Sequence, residues 1–370
     1  MFNIKVLQVI SGNDNGGGGN HVLNLSFYSR DKFECTVGCI GEGNLYKKGE
    51  DLGISMVQFG SRAAYDGTII KYVMENNIDI VNFHGAKAFF MHWLLKHKLP
   101  SAAVATIHSN YKKDFLNNKF KQVFFTPLSI QGLKSFNYYI CVSNYISKLL
   151  KDDNFRGRRF IVNNGVDYEA INVVKNRECI RKMYNLEEKD FVYVCVARMH
   201  PVKNHLGLIQ AFSKLKKERE GVKLLLVGDG ELEEEIKGQI KTLNVDKDII
   251  LTGFTDRPID IVNAADVSIL TSFSEGGSPP LVILESAAVK KAFICSKVGD
   301  IEETINEQRG FLINPNSVED IYEKMKEAYD RREELDVIGA NLCQFVKNTY
   351  SIDSFCSKYY SAYKEILLRK

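Results

Sequence analysis

Short apolar runs alternate with helical patterns from the N-terminus onward, and the alternation restarts near residue 190. In the first half the strand candidates are IKVLQVI, CTVGCI, SMVQF, DIVNFH, AAVATIH and YYICVS, followed by a short RFIVNN. These runs are almost continuously apolar, as parallel strands buried on both faces require. Helical patterns such as DGTIIKYVMENN and AKAFFMHWLLKHK lie between them, so the units are βαβ. The second series reads FVYVCVAR, VKLLLVGDG, DIILTGF, VSILTS, AFICSKV and GFLINP. In ELEEEIKGQIKTL, Leu232, Ile236, Ile240 and Leu243 recur at helical spacing, and Asp229-Gly230 with the acids that follow suits a helix start. The terminal SIDSFCSKYYSAYKEILLRK reads as one helix capped by Ser351, with Phe355, Tyr359 and Tyr363 on one stripe. The expected fold class is α/β, with two facing Rossmann-like doubly wound domains. They span residues 1–168 and 169–350, and the polar stretch 165–190 serves as linker. In such sheets ligands bind beyond the carboxyl ends of the strands. Two facing halves would put a cleft between them.

Composition narrows the classes. A chain that is 45% hydrophobic and 26% charged fits an ordinary soluble protein. The start MFNIKVLQVI lacks the basic and long apolar regions of a signal peptide, and AFFMHWLL is far too short to span a membrane. Eight cysteines are scattered without zinc-finger or CxxC spacing, which suggests reduced core residues in a cytoplasmic protein. Net charge is only +3, but residues 84–160 hold 13 basic and 3 acidic side chains. That excess suits an anionic partner such as a membrane surface or a phosphorylated acceptor; a solvated lysine-rich face is the plain alternative. No nucleic-acid recognition module is present.

Four motifs follow strand ends. SGNDNGGGGNHV follows the first strand, and its glycines let the backbone approach a ligand, with a helix from about Asn20 presenting N–H groups. A nicotinamide dinucleotide fits poorly, because the second strand ends without a ribose-binding acid. A glycine loop without a ligand remains the alternative. ARMHPVKNH carries Arg198 and Lys203 from a strand end into a helix, as a diphosphate would need, although either could be a surface cation. TSFSEGGSPPLVILESAAVKK places Glu275 in a loop and Glu285 on a helix among Leu281, Val282, Leu284 and Ala288. Either carboxylate could accept from sugar hydroxyls; a surface charge is the other reading of Glu285. His108 ends the strand of ATIHSNY and His84 the strand before it, each either a cleft residue or a satisfied core histidine.

In this order the motifs resemble the GT-B-fold retaining glycosyltransferases of family four. The resemblance runs through GGGGNHV, ICVSNYISKLL, VNNGVD, VARMHPVKNHLGLIQAF, LLLVGDG, LTGF and the Glu…Glu segment. It implies that Arg198 and Lys203 hold the donor diphosphate and that Glu285 binds the ribose. It implies that Glu275 and His108 lie beside the donor sugar and that Gly17 and Gly18 face the phosphates. Gly253 and Phe254 would form the base-binding turn, with Leu281 and Val282 also at the donor. The final helix, from 351, would cross back onto the N-terminal domain. The family separates its glutamates by seven residues; here nine intervene, so Gly277 falls in the first slot and the loop is two residues longer.

The implied activity is that of a hexosyltransferase that moves sugar with retention from a nucleoside-diphosphate sugar, UDP-sugar favoured, to a hydroxyl on a glycan or lipid-linked acceptor. Two cations on the phosphates would make a metal unnecessary, and no Asp-x-Asp stands at a strand end. Lys-, Asn- and Ile-rich usage points to bacterial envelope, capsule or exopolysaccharide synthesis. The expected location is the cytoplasm or the inner membrane face, the acceptor meeting the basic segment with Lys112, Lys113, Lys119 and Lys121. A nucleotide-sugar 2-epimerase and a non-catalytic nucleotide-sugar binding protein are the rival readings.

Overall fold

The computed structural model describes residues 4–14, 16–112, 119–276 and 279–369, with side chains in the helix Lys119–Leu133 described from Thr126 onward. All thirteen expected strands form among these residues. The first seven are β1 (Lys5–Ser11), β2 (Glu34–Ile40), β3 (Ser55–Phe59), β4 (Ile80–His84), β5 (Ala102–Ile107), β6 (Tyr138–Cys141) and β7 (Arg158–Ile161). They build one sheet in the order β3-β2-β1-β4-β5-β6-β7. The remaining six are β8 (Phe191–Val196), β9 (Val222–Val227), β10 (Ile249–Gly253), β11 (Val267–Leu270), β12 (Ala292–Ser296) and β13 (Phe311–Ile313). Their order is β10-β9-β8-β11-β12-β13, which repeats that of the first sheet. The strand-to-strand pairings are parallel throughout. Strand order reverses beside β1 and beside β8, the two places where a doubly wound sheet opens a crevice.

The chain divides into two compact units, one of Met1–Gly165 with Ile352–Lys370, the other of Val166–Glu275 with Pro279–Ser351. In the first unit, Leu7, Val9, Phe83 and Ala105 pack with helices on one face of the sheet. Val6, Ile80, Val104 and Ile140 meet Phe355, Tyr359 and Tyr363 of the terminal helix on the other. The terminal helix therefore does return to the N-terminal unit, and the stripe expected from its sequence is its buried face. In the second unit, Tyr193, Leu224 and Ile269 pack beneath the helix His205–Glu218, while Val194 and Leu225 face the opposite layer.

Two expectations need correction. Residues 165–190 are not simply a linker, because they fold into the second unit through the helix Arg177–Met183. Ile180 and Leu186 enter its core, and the buried Arg181 guanidinium donates to the carbonyls of Ala264, Glu187 and Asp190. The segment reads as polar because most of its charged residues, among them Glu178, Lys182, Glu187, Glu188 and Lys189, are exposed on the surface of the unit. The helix after β1 starts at Gly17 rather than near Asn20. The cysteines are free thiols, and five are buried, but Cys179 is exposed.

Candidate functional site

At the carboxyl edge of the second sheet the chain leaves β8 through Ala197 and Arg198. Met199 N donates to Asp229 O (2.7 Å), and Leu232 N donates to Met199 O (3.1 Å). The glycines of LLLVGDG allow this approach: a Cβ on Gly228 would lie 2.3 Å from Ala197 O, and one on Gly230 would lie 2.5 Å from Met199 O. A short 3-10 turn, Pro201–Lys203, follows. Asn204 then takes a left-handed conformation (φ 54°), and its Oδ1 accepts from Gly207 N to cap the helix His205–Glu218. Thr271 Oγ1 lies 3.1 Å from Lys203 O and 3.2 Å from Asn204 O, and Asn204 Nδ2 donates to Pro315 O. These bonds fix Lys203 at the mouth of a helix N-terminus, where free N–H groups and the helix dipole already favour an anion.

Lys203 Nζ donates to Glu275 Oε1 at 2.5 Å, and both side chains are largely sheltered. The loop carboxylate and the cation thus meet. Arg198 is exposed and pairs with no carboxylate among the described residues. Glu285 lies within the helix Leu281–Ala288, which starts directly after Pro280. Burial among apolar neighbours pushes its carboxyl up from 4.5 to about 7. Leu281 and Val282, both half-buried, form the first turn of the same helix. Gly253 closes β10 with φ 72°, its carbonyl accepts from Gly228 N (3.0 Å), and Phe254 beyond it is 55% exposed. Gly277, the position in the family's first glutamate slot, lies outside the described residues.

The first unit arms its sheet edge differently. Gly17, Gly18 and Gly19 form the first turn of the helix Gly17–Tyr28. Asp14 Oδ1 accepts from Gly16 N (3.1 Å) and Gly19 N (3.2 Å), so a carboxylate of the chain itself meets this helix start. A Cβ on Gly19 would lie 2.1 Å from Asp14 O, which explains the glycine better than a strained turn does. His108 follows β5 half-buried, and its Nε2 is 2.8 Å from His84 Nδ1. Burial lowers the His108 imidazole to about 4. His84 is fully enclosed, with its Nε2 2.8 Å from Gln8 Oε1. His21, also buried, bonds Asn164 Oδ1 (2.9 Å) and Tyr359 Oη (2.7 Å).

Several of these residues escaped sequence reading. Gln8, Asn82 and Thr106 are fully buried on β1, β4 and β5, and they bond one another or the hydroxyls of Tyr363 and Tyr359. A polar residue inside an otherwise apolar parallel strand was the available signal, since a buried amide needs a partner. Asp14 and Asn204 carried no such mark. Of the basic segment, Lys112 donates to Asp153 Oδ1 (2.7 Å). Lys113 and the side chains of Lys119 and Lys121 lie outside the described residues. Lys87, Lys96, Lys98, Lys134, Lys148 and Lys151 are exposed. No described helix is long and apolar enough to cross a membrane.

Comparison with known proteins agrees with this geometry. Residues 15–170 match the family model described as Glycosyltransferase Family 4, and residues 176–343 match the one described as Glycosyl transferases group 1. The chain is 25% identical over 313 residues to the Escherichia coli UDP-Gal:alpha-D-GlcNAc-diphosphoundecaprenol alpha-1,3-galactosyltransferase, covering 82% of this chain and 79% of that protein. It is 26% identical over 223 residues to the Staphylococcus aureus capsular polysaccharide biosynthesis glycosyltransferase CapM, covering 60% of this chain and 58% of CapM. Among solved structures, Anabaena HepE in complex with UDP-glucose superimposes with a TM-score of 0.84 at 18% identity over the full length of both chains. Two doubly wound sheets of one strand order, with these matches along both, make this chain a member of the group 1 glycosyltransferases with the GT-B fold.

Proposed function

We propose that this chain moves a hexosyl residue from a UDP-sugar to a hydroxyl of a lipid-linked glycan, with retention at the anomeric carbon, in bacterial envelope, capsule or exopolysaccharide synthesis. The observation that carries the reading is Lys203, fixed at a strand end and a helix N-terminus, with the exposed Arg198 five residues earlier. A nucleoside diphosphate gains negative charge as it leaves the sugar. Preset cations and backbone N–H groups stabilise that charge without reorganising. Glu285 supplies a carboxylate for ribose hydroxyls, and Gly253 and Phe254 a turn for the base. Glu275 orients Lys203 and stands beside the sugar.

The two cations neutralise the diphosphate, so the reaction proceeds without a metal in this reading. No side chain is assigned as a covalent nucleophile, and the acceptor hydroxyl attacks from the face the diphosphate leaves. The donor and the lipid-linked acceptor are supported by the printed activity of the Escherichia coli relative and the UDP-glucose complex of HepE. The exposed lysines of the first unit favour an anionic membrane surface beside that acceptor.

A thermal-shift series with UDP, GDP, ADP and their sugar conjugates tests the reading. UDP compounds at 100 times their dissociation constant should stabilise the chain by about 2.7 kcal/mol. Preference for GDP or ADP would overturn the donor. Transfer should survive excess chelator; its loss would overturn the metal-free route. Retention is read from the anomeric configuration of the product.

A further inference from the structure

The buried polar chain behind His108 has a direction that can be traced from a backbone carbonyl. Val22 O can only accept, and Ser26 Oγ donates to it at 2.8 Å. The single hydroxyl hydrogen of Ser26 is then used. Cys35 Sγ, 3.1 Å from Ser26 Oγ, must therefore donate its S–H there. That leaves only sulfur lone pairs toward Gln8, whose nearest amide atom is 3.5 Å away. This atom must be the amide nitrogen, and the same nitrogen donates to Tyr363 Oη at 3.2 Å. Gln8 Oε1 consequently faces His84 Nε2 at 2.8 Å and requires a proton on it.

His84 is fully enclosed, and burial, with His108 and His21 close by, holds its imidazole well below the usual range. It carries one proton, so its Nδ1 accepts. The donor to that nitrogen is His108 Nε2, 2.8 Å away. We propose that Gln8 and His84 act as positioning residues that lock His108 in the Nε2–H tautomer, so that its Nδ1 is a permanent hydrogen-bond acceptor for a substrate hydroxyl. The hydroxyl's identity as part of a sugar substrate rests on the transferase reading above; the tautomer does not. A fixed acceptor discriminates against a substrate lacking that hydroxyl, because the nitrogen would be left unpaired.

Nitrogen NMR of the full chain, labelled at the imidazole nitrogens, reads the tautomer directly. The His108 signals are assigned by their loss in His108→Gln. The expected result is a protonated Nε2 and a bare Nδ1 throughout about pH 6 to 8, where a free histidine would titrate. A proton on Nδ1 overturns the proposal. Gln8→Met removes the acceptor, so His108 should show both tautomers, and kcat/KM for the sugar donor should fall about two- to tenfold, the worth of one hydrogen bond. Cys35→Ser keeps both the donor toward Ser26 and the acceptor toward Gln8, and should retain tautomer and rate. An unchanged tautomer in Gln8→Met would refute the lock. Absence of any transfer activity with the tautomer as stated would refute the transferase reading while leaving the lock in place.

Discussion

Within the first sheet the polar side chains buried on β1, β4 and β5 are neutral and bonded to one another or to nearby tyrosines, whereas the carboxyl edge of the second sheet carries formal charge. Gln8, Asn82, His84, Thr106 and His21 use one another, Tyr359 and Tyr363 as partners, in a setting that holds His21 and His84 uncharged by burial. In the second sheet, Lys203 meets Glu275, Arg198 is exposed, and Glu285 sits poised near neutrality. The same strand order thus supports two kinds of site. The first is braced by its own network of neutral groups, while the second carries the Lys203–Glu275 pair and an exposed Arg198. A buried neutral network costs little once every group is paired. Charge near a surface is useful where an anion must be held and then released.

The largest effect expected from this contrast falls on Lys203. Lys203→Ala removes a charged hydrogen-bond donor worth about 1.5–3 kcal/mol, so donor affinity should drop roughly 10- to 150-fold, as measured by calorimetric titration with UDP. Glu275→Gln should change it far less, because Lys203 remains. Affinity unchanged in Lys203→Ala would break the assignment of the donor site to this edge.

The next effect belongs to the neutral network and concerns stability rather than affinity. Tyr359→Phe deletes the hydroxyl that lies 2.7 Å from His21 Nε2 and 3.3 Å from Thr106 Oγ1. An unsatisfied buried nitrogen costs about 1–3 kcal/mol, so the melting temperature should fall by several degrees. Donor titration of the folded variant should match the parent. A variant with the parent's melting temperature and a weakened donor would reverse the division of labour between the two sheets.

The strands and the returning helix were legible because burial imposes a pattern: Val, Ile and Leu in runs for the sheets, and Phe355, Tyr359 and Tyr363 at helical spacing. The charged edge was legible in part, since Arg198, Lys203 and Glu285 follow strand ends in recognisable order. The pairing of Lys203 with Glu275 was not, because 72 residues separate them and only the fold sets their distance. The neutral network was hidden for the same reason. Gln8 and Tyr363 lie 355 residues apart, and no local pattern couples a strand amide to a distant tyrosine. The helix start at Gly17 was misread because four glycines suggest a turn, while in the fold Gly17 to Gly19 are helical and the lack of a Cβ on Gly19 admits the Asp14 backbone.

The smallest expected effect is a pH dependence confined to the charged edge. Burial raises the Glu285 carboxyl from 4.5 to about 7. Between those values the folded chain keeps a proton that the unfolded chain has released, so this group's contribution to stability is full below 4.5 and is lost as pH rises through about 7. Donor binding runs the other way. The carboxylate is the better acceptor for ribose hydroxyls, and its population rises about tenfold from one unit below its midpoint to one unit above. UDP affinity should therefore increase by up to about tenfold from pH 6 to pH 8, a range in which the neutral histidines of the first sheet do not change charge. Glu285→Gln should flatten the profile at an affinity no higher than the parent reaches at low pH. A parent profile that is already flat would place Glu285 away from the ligand, and a steep profile that persists in Glu285→Gln would assign the titration to another group.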